Sequence, residues 1–347
     1  MRGLSLRGVR FAMLAAGSAV FAWLLWSLGF TVIRQNVIAT GWWFLAILGA
    51  WCVTYCLNSC TLGLLLGCDR HRVGPPRILG TIVAGFAMNY ATPVLHMGGE
   101  PFRIMVLSEW IERARAVFAT IAFKAFNTSA TVTHWLIGLI VFVCVAPARQ
   151  RAVAMVALVV LVSVLVATVV SIARAERGVF AALMAFASRR PRFGQLQRFL
   201  LAHETTLREI DVHLGDLGTM RQVWLGAWIF EVLARLAMTG EIFFTLRALG
   251  YDIPFTTALC IDAASSLALN VLFFVPFDLG VREGGLYLIL PVFGLPPEVG
   301  IYAGLVSRVR ELFWIGVGRY GDTYSPPPRR PACRPRGLTG EGRGGPA

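Results

Sequence analysis

The chain has 347 residues, 56% of them hydrophobic, and its mean hydropathy is +0.67. This composition exceeds what the core of a soluble protein requires, and it excludes an ordinary soluble globular domain. The net charge of +13 would suggest a nucleic-acid partner for a soluble chain. Here the basic residues lie mostly between apolar runs, as in the cytoplasmic loops of membrane proteins, so no nucleic-acid partner is predicted.

Apolar runs divide the chain into membrane spans and broken segments. Spans are predicted at 11–33, 41–66, 117–146, 152–173, 221–249 and 298–317, each close to the ~20 residues that cross a bilayer. Two further runs, 78–97 and 254–294, are interrupted by proline and glycine. We interpret both as re-entrant hairpins, which must be buried in protein or line a polar cavity.

The order span, span, hairpin, span occurs in residues 1–147 and again in 148–320. Because each half has three full spans, the second half is expected to be inverted relative to the first. The sequence therefore predicts an all-α polytopic membrane protein of two inverted repeats, each with three transmembrane helices and one re-entrant broken-helix hairpin. Loop 174–221 belongs to the second repeat, and residues 321–347 are predicted to form a disordered basic tail.

Basic residues indicate the orientation. Of the 32 basic residues, 23 fall in the amino-terminal arm, loops 67–77, 100–116 and 174–221, and the tail after 318. All of these segments lie on one side of the predicted topology, which the positive-inside rule assigns to the cytoplasm. Both termini are therefore predicted to be cytoplasmic.

Cysteine and histidine patterns give no indication of a metal site. Cys52, Cys56 and Cys60 lie four residues apart in one apolar helix, and we expect them to be small, buried packing residues. The five histidines form no zinc-binding pattern. No nucleotide-binding or nucleophile motif is present either. We predict no metal and no cofactor, and we do not expect an enzyme.

The most informative pattern is a proline followed seven residues later by a glutamate, Pro93 to Glu100 and Pro276 to Glu283. Arg103 and Arg282 add positive charge beside the two glutamates. Both signs of charge next to unwound backbone suit a zwitterionic or anionic head group, although the charges could instead brace the hairpins against each other. Structural roles in the hairpins are predicted for Asn89, Pro93, Gly98, Gly99, Asn270, Pro276 and Gly280.

Ionisable residues inside spans are site candidates because they are costly in a membrane. Lys124 lies in the third span, where it could line a cavity or extend to the interface. Glu231 and Arg235 are four residues apart and can form an ion pair within one helix, as a structural pair or as part of a site.

The last span carries Arg308, Arg310 and Glu311, which could face the same cavity. Because Arg310 and Glu311 are adjacent, we expect only part of this cluster to point inward. The predicted substrate-binding set is Glu100, Arg103, Lys124, Glu231, Arg235, Arg282, Glu283 and Arg308.

Three ordered motifs resemble those of a known family. They are Asn89-x3-Pro93-x4-Gly98-Gly99-Glu100-x2-Arg103, then Pro276-x3-Gly280-x-Arg282-Glu283-Gly284, and then Arg308-x-Arg310-Glu311-Leu312. This pattern is similar to the lysylphosphatidylglycerol synthase transmembrane region, or flippase-like domain, family, and most similar to its branch associated with hopanoid biosynthesis. The resemblance implies a multi-pass protein of the bacterial inner membrane that moves or handles lipids. Lysyl transfer is not expected, because no aminoacyl-transferase domain is predicted after residue 320.

Our leading hypothesis is a lipid translocator in which Arg103, Lys124 and Arg282 hold a phosphate or polar head group between the hairpins. Glu100 and Glu283 would orient these cations or bind a coupling proton. An alternative is a non-transporting accessory protein that delivers lipid intermediates to a lipid (hopanoid) biosynthetic enzyme, or scaffolds that enzyme, through loop 174–221. A third hypothesis, an intramembrane enzyme using the two glutamates as acid and base, has no nucleophile or metal set to support it. The oligomeric state is not predicted.

Overall fold

The structure is a computed structural model that describes residues 38, 40–91, 98–145, 155, 159, 162, 221–271 and 281–320. This part of the chain is helical and contains no strand. Its eight main helices are α1 (Trp43–Leu66), α2 (Pro75–Ala91), α3 (Gly99–Leu107), α4 (Arg113–Val145), α5 (Arg221–Ala248), α6 (Phe255–Val271), α7 (Val281–Ile289) and α8 (Glu298–Tyr320). Short turns follow α1 at Gly67–Asp69 and Arg70–Val73, and α7 at Leu290–Phe293.

Local sequence explains where several helices begin and end. Gly67 has φ of 58°, a conformation that favours glycine, and α1 ends there. Proline residues stand at the start of α2 and immediately before α8. A backbone N–H at these positions would have no partner within the helix, so its absence costs no hydrogen bond. Two continuous helical segments, Trp43–Val73 and Arg113–Cys144, are long and apolar enough to cross a membrane by length and composition.

The helices agree closely with four predicted spans. Helices α1, α4, α5 and α8 match the spans predicted at 41–66, 117–146, 221–249 and 298–317. The span 11–33 lies outside the described residues, and in the span 152–173 only residues 155, 159 and 162 are described, each as helix. Loop 174–221 up to residue 220, and the tail 321–347, also lie outside them.

The broken run predicted at 254–294 contains two helices, whereas the one predicted at 78–97 contains only α2 in its described part, and its partner α3 lies in what was predicted to be loop 100–116. Helices α2 and α3 lie on either side of residues 92–98, and α6 and α7 lie on either side of residues 272–280. In each pair the two helices pack against each other. Pro93, Pro276 and Gly280, to which structural roles were assigned, lie outside the described residues.

The helix contacts follow a repeated pattern in the two halves. Helix α1 packs along α5, which holds the corresponding position in the second half. Contacts α2–α3, α3–α4 and α1–α2 correspond to α6–α7, α7–α8 and α5–α6. Across the halves, α2 packs on α8 and α6 packs on α4. Each broken segment therefore contacts the last helix of the opposite half.

Small and hydroxylated residues bring α1 and α5 together. The hydroxyls of Thr54 and Thr61 donate to the backbone carbonyls of Ala234 and Ala227, at 3.3 and 3.4 Å. Such contacts are typical of helices packed within membranes, where burial of apolar surface gives little driving force. The main apolar core, which includes Ile47, is built mostly from α1, α2 and α4, and α5 adds Ala227 to it.

The cysteine expectation was wrong. Cys52, Cys56 and Cys60 are exposed, because the face of α1 that packs on α5 carries Trp51, Thr54 and Asn58 among its buried residues. The four-residue spacing correctly places the cysteines on one face of the helix, but that face is the outer one.

Candidate functional site

A partly open cavity of about 320 Å³ lies between helices of the two halves. Its wall includes residues from every main helix except α3. The polar and charged lining residues are Asn58, Asn89, Tyr90, Lys124, Asn127, His134, Arg235, Glu241, Asp262, Ser265, Ser266, Asn270, Arg282 and Ser307. Three cationic side chains thus share the wall with two carboxylates and one histidine.

Of the predicted site residues, Lys124, Arg235, Arg282, Asn89 and Asn270 line this cavity. The chain brings them there from α4, α5, α7, α2 and α6. The remaining members of the predicted set lie behind the wall and are connected to it through ion pairs, through hydrogen bonds or, for Arg103, through ring contacts.

Glu100 is the first such residue. Its Oε1 lies 3.0 Å from Nζ of Lys124, so α3 and α4 are joined by an ion pair at the cavity wall. The side chain of Lys124 is 47% exposed and that of Glu100 is 18% exposed. The lysine therefore retains free donors on the open side, since an ammonium group has three.

The second half has a corresponding pair, in which the cation is more buried and the glutamate is equally exposed. Nε of Arg308 lies 3.2 Å from Oε1 of Glu283, which joins α7 and α8. Nη1 of Arg308 and Nη2 of Arg282 also contact the carboxylate of Glu311, at 3.3 and 3.1 Å. Arg282 is thus held at the cavity wall by a carboxylate from α8.

Glu231 and Arg235 do not form the direct ion pair that their spacing allows. Asn127 of α4 lies between them: its Nδ2 donates to Glu231 at 2.8 Å, and its Oδ1 accepts from Arg235 at 2.9 Å. With its amide rotated by 180°, Asn58 also donates to Glu231 at 3.1 Å. These bonds stabilise a fully buried carboxylate that would otherwise be costly in a membrane interior.

The hairpin residues within the described part make local backbone contacts. Oδ1 of Asn89 accepts a hydrogen bond of 2.6 Å from the backbone N–H of Gly99, at the start of α3. Asn270 donates through Nδ2 to the carbonyl of Ser266 at 2.8 Å. Gly98 precedes α3 as its N-terminal flanking residue. Asn89 thus connects the two helices across the break.

Arg103 is buried to 1% exposure without an ion pair or hydrogen bond in the described part of the chain. Its guanidinium carbon lies 5.0 Å and 4.9 Å from the ring centroids of Phe86 and Phe123. Cation–π contacts of this kind offset part of the desolvation cost. Because Phe86 lines the cavity, Arg103 lies directly behind the wall.

We expect Arg103→Met to raise the thermal unfolding temperature of the purified protein in detergent. Methionine is also long and flexible, and it removes a buried charge for which the described part of the chain supplies no ion pair. Arg310→Met is the contrasting variant, because Arg310 is paired and its loss should lower the unfolding temperature. If Arg103→Met instead unfolded at a lower temperature than the wild type, the two ring contacts of Arg103 would outweigh the cost of desolvating its charge.

None of the three charged residues of the α8 cluster lines the cavity, which agrees with the expectation that at most part of this cluster faces it. Arg308, Arg310 and Glu311 are all buried, at 7%, 0% and 5% exposure. Helix α8 packs against α2, α5 and α7, so more than one of its faces is inside the molecule. Arg310 contacts Glu241 of α5 through three bonds of 3.0–3.3 Å, and Arg308 contacts Glu283 of α7.

Sequence reasoning missed Tyr90, Glu241 and the pair His134 and Asp262. Nε2 of His134 lies 3.2 Å from Oδ2 of Asp262, and both residues line the cavity. Tyr90 lines it as well, and its hydroxyl accepts from Nη1 of Arg310 at 3.2 Å. The signal that could have identified these four residues is that each is an ionisable residue within an apolar run.

Among the described residues, no group of three or more His, Cys, Asp or Glu side chains is arranged to hold a metal ion.

Helices of membrane-spanning length, buried ion pairs and a polar cavity are together typical of a helical membrane protein. A family model described as lysylphosphatidylglycerol synthase TM region matches residues 11–318. The chain belongs to this family, as the sequence motifs predicted. Comparison with curated proteins and with solved structures gives no match.

Proposed function

We propose that this protein moves lipids between membrane leaflets by holding the head group in the cavity between its two halves. The observation that carries the proposal is the cavity wall itself, which presents Lys124, Arg235 and Arg282 inside a membrane protein. Cationic side chains are rare within membranes and mark substrate paths there. The family supports a lipid-related role. The proposal includes a bacterial inner-membrane location with both termini in the cytoplasm, and no covalent chemistry.

The same proposal includes two inverted repeats with re-entrant hairpins. Two observations support it: the helix contacts of the two halves correspond, and each half has a glutamate of the second hairpin helix paired with a cation of the following helix. These pairs are Glu100 with Lys124 and Glu283 with Arg308. Inverted repeats around a central site allow one half to move against the other, which exposes the site to each side in turn.

The size of the cavity restricts what it can hold. At about 320 Å³ it lies at the lower end of the range for ligand sites, about 300–1,000 Å³. It therefore suits one polar head group, with the apolar part of the lipid remaining in the membrane. Arginine binds phosphate through two parallel hydrogen bonds, and lysine acts as a point charge. A phosphate-bearing head group fits this set of donors.

We expect Arg282→Gln and Lys124→Gln each to reduce lipid exchange between leaflets by about tenfold or more, because a charged hydrogen bond is worth about 1.5–3 kcal/mol. The measurement uses purified protein in liposomes that contain reducible fluorescent lipids, with glycerophospholipid and hopanoid analogues in separate samples. Exchange is followed by chemical reduction of the outer leaflet.

The matched control is Arg247→Gln. Arg247 forms an ion pair of 2.7 Å with Asp252, but it is partly exposed and does not line the cavity. This variant should exchange lipid as the wild type does. Unchanged exchange in both cavity variants would reject the site. No exchange by the wild-type protein for any lipid would favour the accessory role through loop 174–221.

A further inference from the structure

A row of polar residues on α5 extends along the cavity wall. Glu231, Arg235 and Thr239 lie at four-residue intervals, which places them on one face of the helix. The first two bind Asn127 of α4. The hydroxyl of Thr239 donates to Oδ2 of Asp262 at 2.9 Å, which continues the row onto α6.

His134 is at the end of this row. It lies seven residues after Asn127 on α4, two turns along the same face. Nε2 is 3.2 Å from Oδ2 of Asp262, and the side chain of His134 is only 3% exposed. Within the described residues neither ring nitrogen makes a hydrogen bond. Histidine changes charge more readily near neutral pH than other side chains, and His–carboxylate pairs in membrane interiors serve as proton relays.

We infer that His134 and Asp262 form a proton-binding site in the cavity wall, and that proton binding there strengthens binding of an anionic head group. The inference rests on the proposed function and adds its coupling ion. The proposed proton-binding site does not include Glu100 or Glu283, because their carboxylates are held in ion pairs with Lys124 and Arg308.

The charge states of the pair explain the coupling. Whichever ring nitrogen carries the proton of the neutral imidazole, a second proton bound at the other nitrogen converts it to imidazolium. The pair then changes from a net charge of −1 to zero. By reciprocity, an anion that binds better to the neutral pair must itself promote proton uptake.

Other charged groups set the background potential. The cavity wall also carries Lys124, Arg235, Glu241, Arg282 and the phenol of Tyr90. The helices packed on α4 place Glu100, Arg103, Glu231 and Tyr55 behind the wall. Once the His134–Asp262 pair is neutral, the remaining charged wall residues are three cations and one carboxylate, that of Glu241. An anion therefore experiences a more positive potential after proton binding.

The experiment is calorimetric titration of purified protein with dihexanoyl phosphatidylglycerol, in buffers of different ionisation enthalpy between pH 5 and 8. The phosphodiester of this probe remains ionised throughout, so any proton taken up is bound by the protein. Wild-type protein should take up as much as one proton per lipid. Its affinity should fall as pH rises, by at most about tenfold per pH unit.

Two variants should change affinity in opposite directions. His134→Gln retains the negative charge of Asp262 and should bind weakly at every pH, whereas Asp262→Asn removes it and should bind tightly at every pH. Neither should take up the linked proton. The control His71→Gln alters an exposed histidine outside the cavity and should behave as the wild type does.

Lipid binding without proton uptake, or uptake that persists in both variants, would overturn the inference while leaving the proposed function intact. If this lipid does not bind, phosphatidylglycerol is excluded as the head group, and the proton site is decided by NMR titration of the His134 imidazole without lipid. A titration between pH 5 and 8 that changes in Asp262→Asn supports the site. A ring that does not titrate overturns it.

Discussion

Glu241→Ala should lower the free energy of unfolding by about 3–5 kcal/mol, a loss typical of breaking a buried ion pair from one side. Glu241 is 5% exposed and Arg310 is fully buried. The carboxylate accepts three bonds from the guanidinium and a fourth, of 2.8 Å, from the indole N–H of Trp51. The variant leaves an arginine in the protein interior without its principal counter-ion.

The aromatic contacts of Arg310 do not replace this carboxylate. The guanidinium carbon lies 3.7 Å from the ring centroid of Trp51, and Tyr90 accepts one further bond. Glu311 is 3.7 Å away and is also engaged by Arg282 and Arg308. A desolvated cation–π contact contributes about 2 kcal/mol or more, and it is already present in the wild-type protein, so it does not compensate for the lost carboxylate.

Thermal and denaturant unfolding in detergent would measure this loss. Asp252→Asn is the control, because it breaks the exposed pair with Arg247 and should cost less than about 1 kcal/mol. The double variant Glu241→Leu with Arg310→Met should recover much of the stability, since it removes both charges. Equal effects of Glu241→Ala and Asp252→Asn would show that the buried pair is not a principal support of the fold.

Gly99→Ala should destabilise the protein by about 3 kcal/mol or more, because the new methyl group would overlap the backbone of α2. A Cβ at this position would collide with the carbonyl oxygen of Gly85 and would lie 2.7 Å from Oδ1 of Asn89. A backbone carbonyl cannot rotate away as a long side chain can. Helices α2 and α3 would have to separate, and the bond between Asn89 and Gly99 would be lost.

The matched control is Gly284→Ala on α7, the corresponding helix of the second half. A Cβ at Gly284 would meet no atom within 4 Å. This substitution should leave stability unchanged or raise it by as much as about 1 kcal/mol, because alanine favours helix. If both variants were equally stable, the close approach at Gly99 would not limit the fold.

The sequence predicted the boundaries of α1, α4, α5 and α8 well because these apolar runs end at clear signals, whereas α3 lies in what was predicted to be a loop. Helix α1 was predicted at 41–66 and occupies Trp43–Leu66, ending at a glycine with positive φ. The interruption near Pro93 and Gly98 was also identified, since α2 ends at Ala91 and α3 begins at Gly99. Such signals are local, and they act within a few residues of the boundary.

The site was predicted only in part, because its geometry depends on which helices are neighbours. Helical spacing correctly grouped Glu231 with Arg235, but it could not supply Asn127, which lies 104 residues from Glu231 along the chain. Arg310 and Glu241 are 69 residues apart. Periodicity shows which residues share a face of one helix, and it does not show what that face meets.

The outward-facing thiols of Cys52, Cys56 and Cys60 can report the depth of successive turns of α1 in the bilayer. An α-helix rises 1.5 Å per residue, so successive thiols are displaced by about 6 Å along the helix axis. All three are exposed on a helix long and apolar enough to cross the membrane. Their relative reactivity toward water-soluble and lipid-soluble thiol reagents therefore records how deeply each turn of α1 lies in the bilayer, without any residue being introduced.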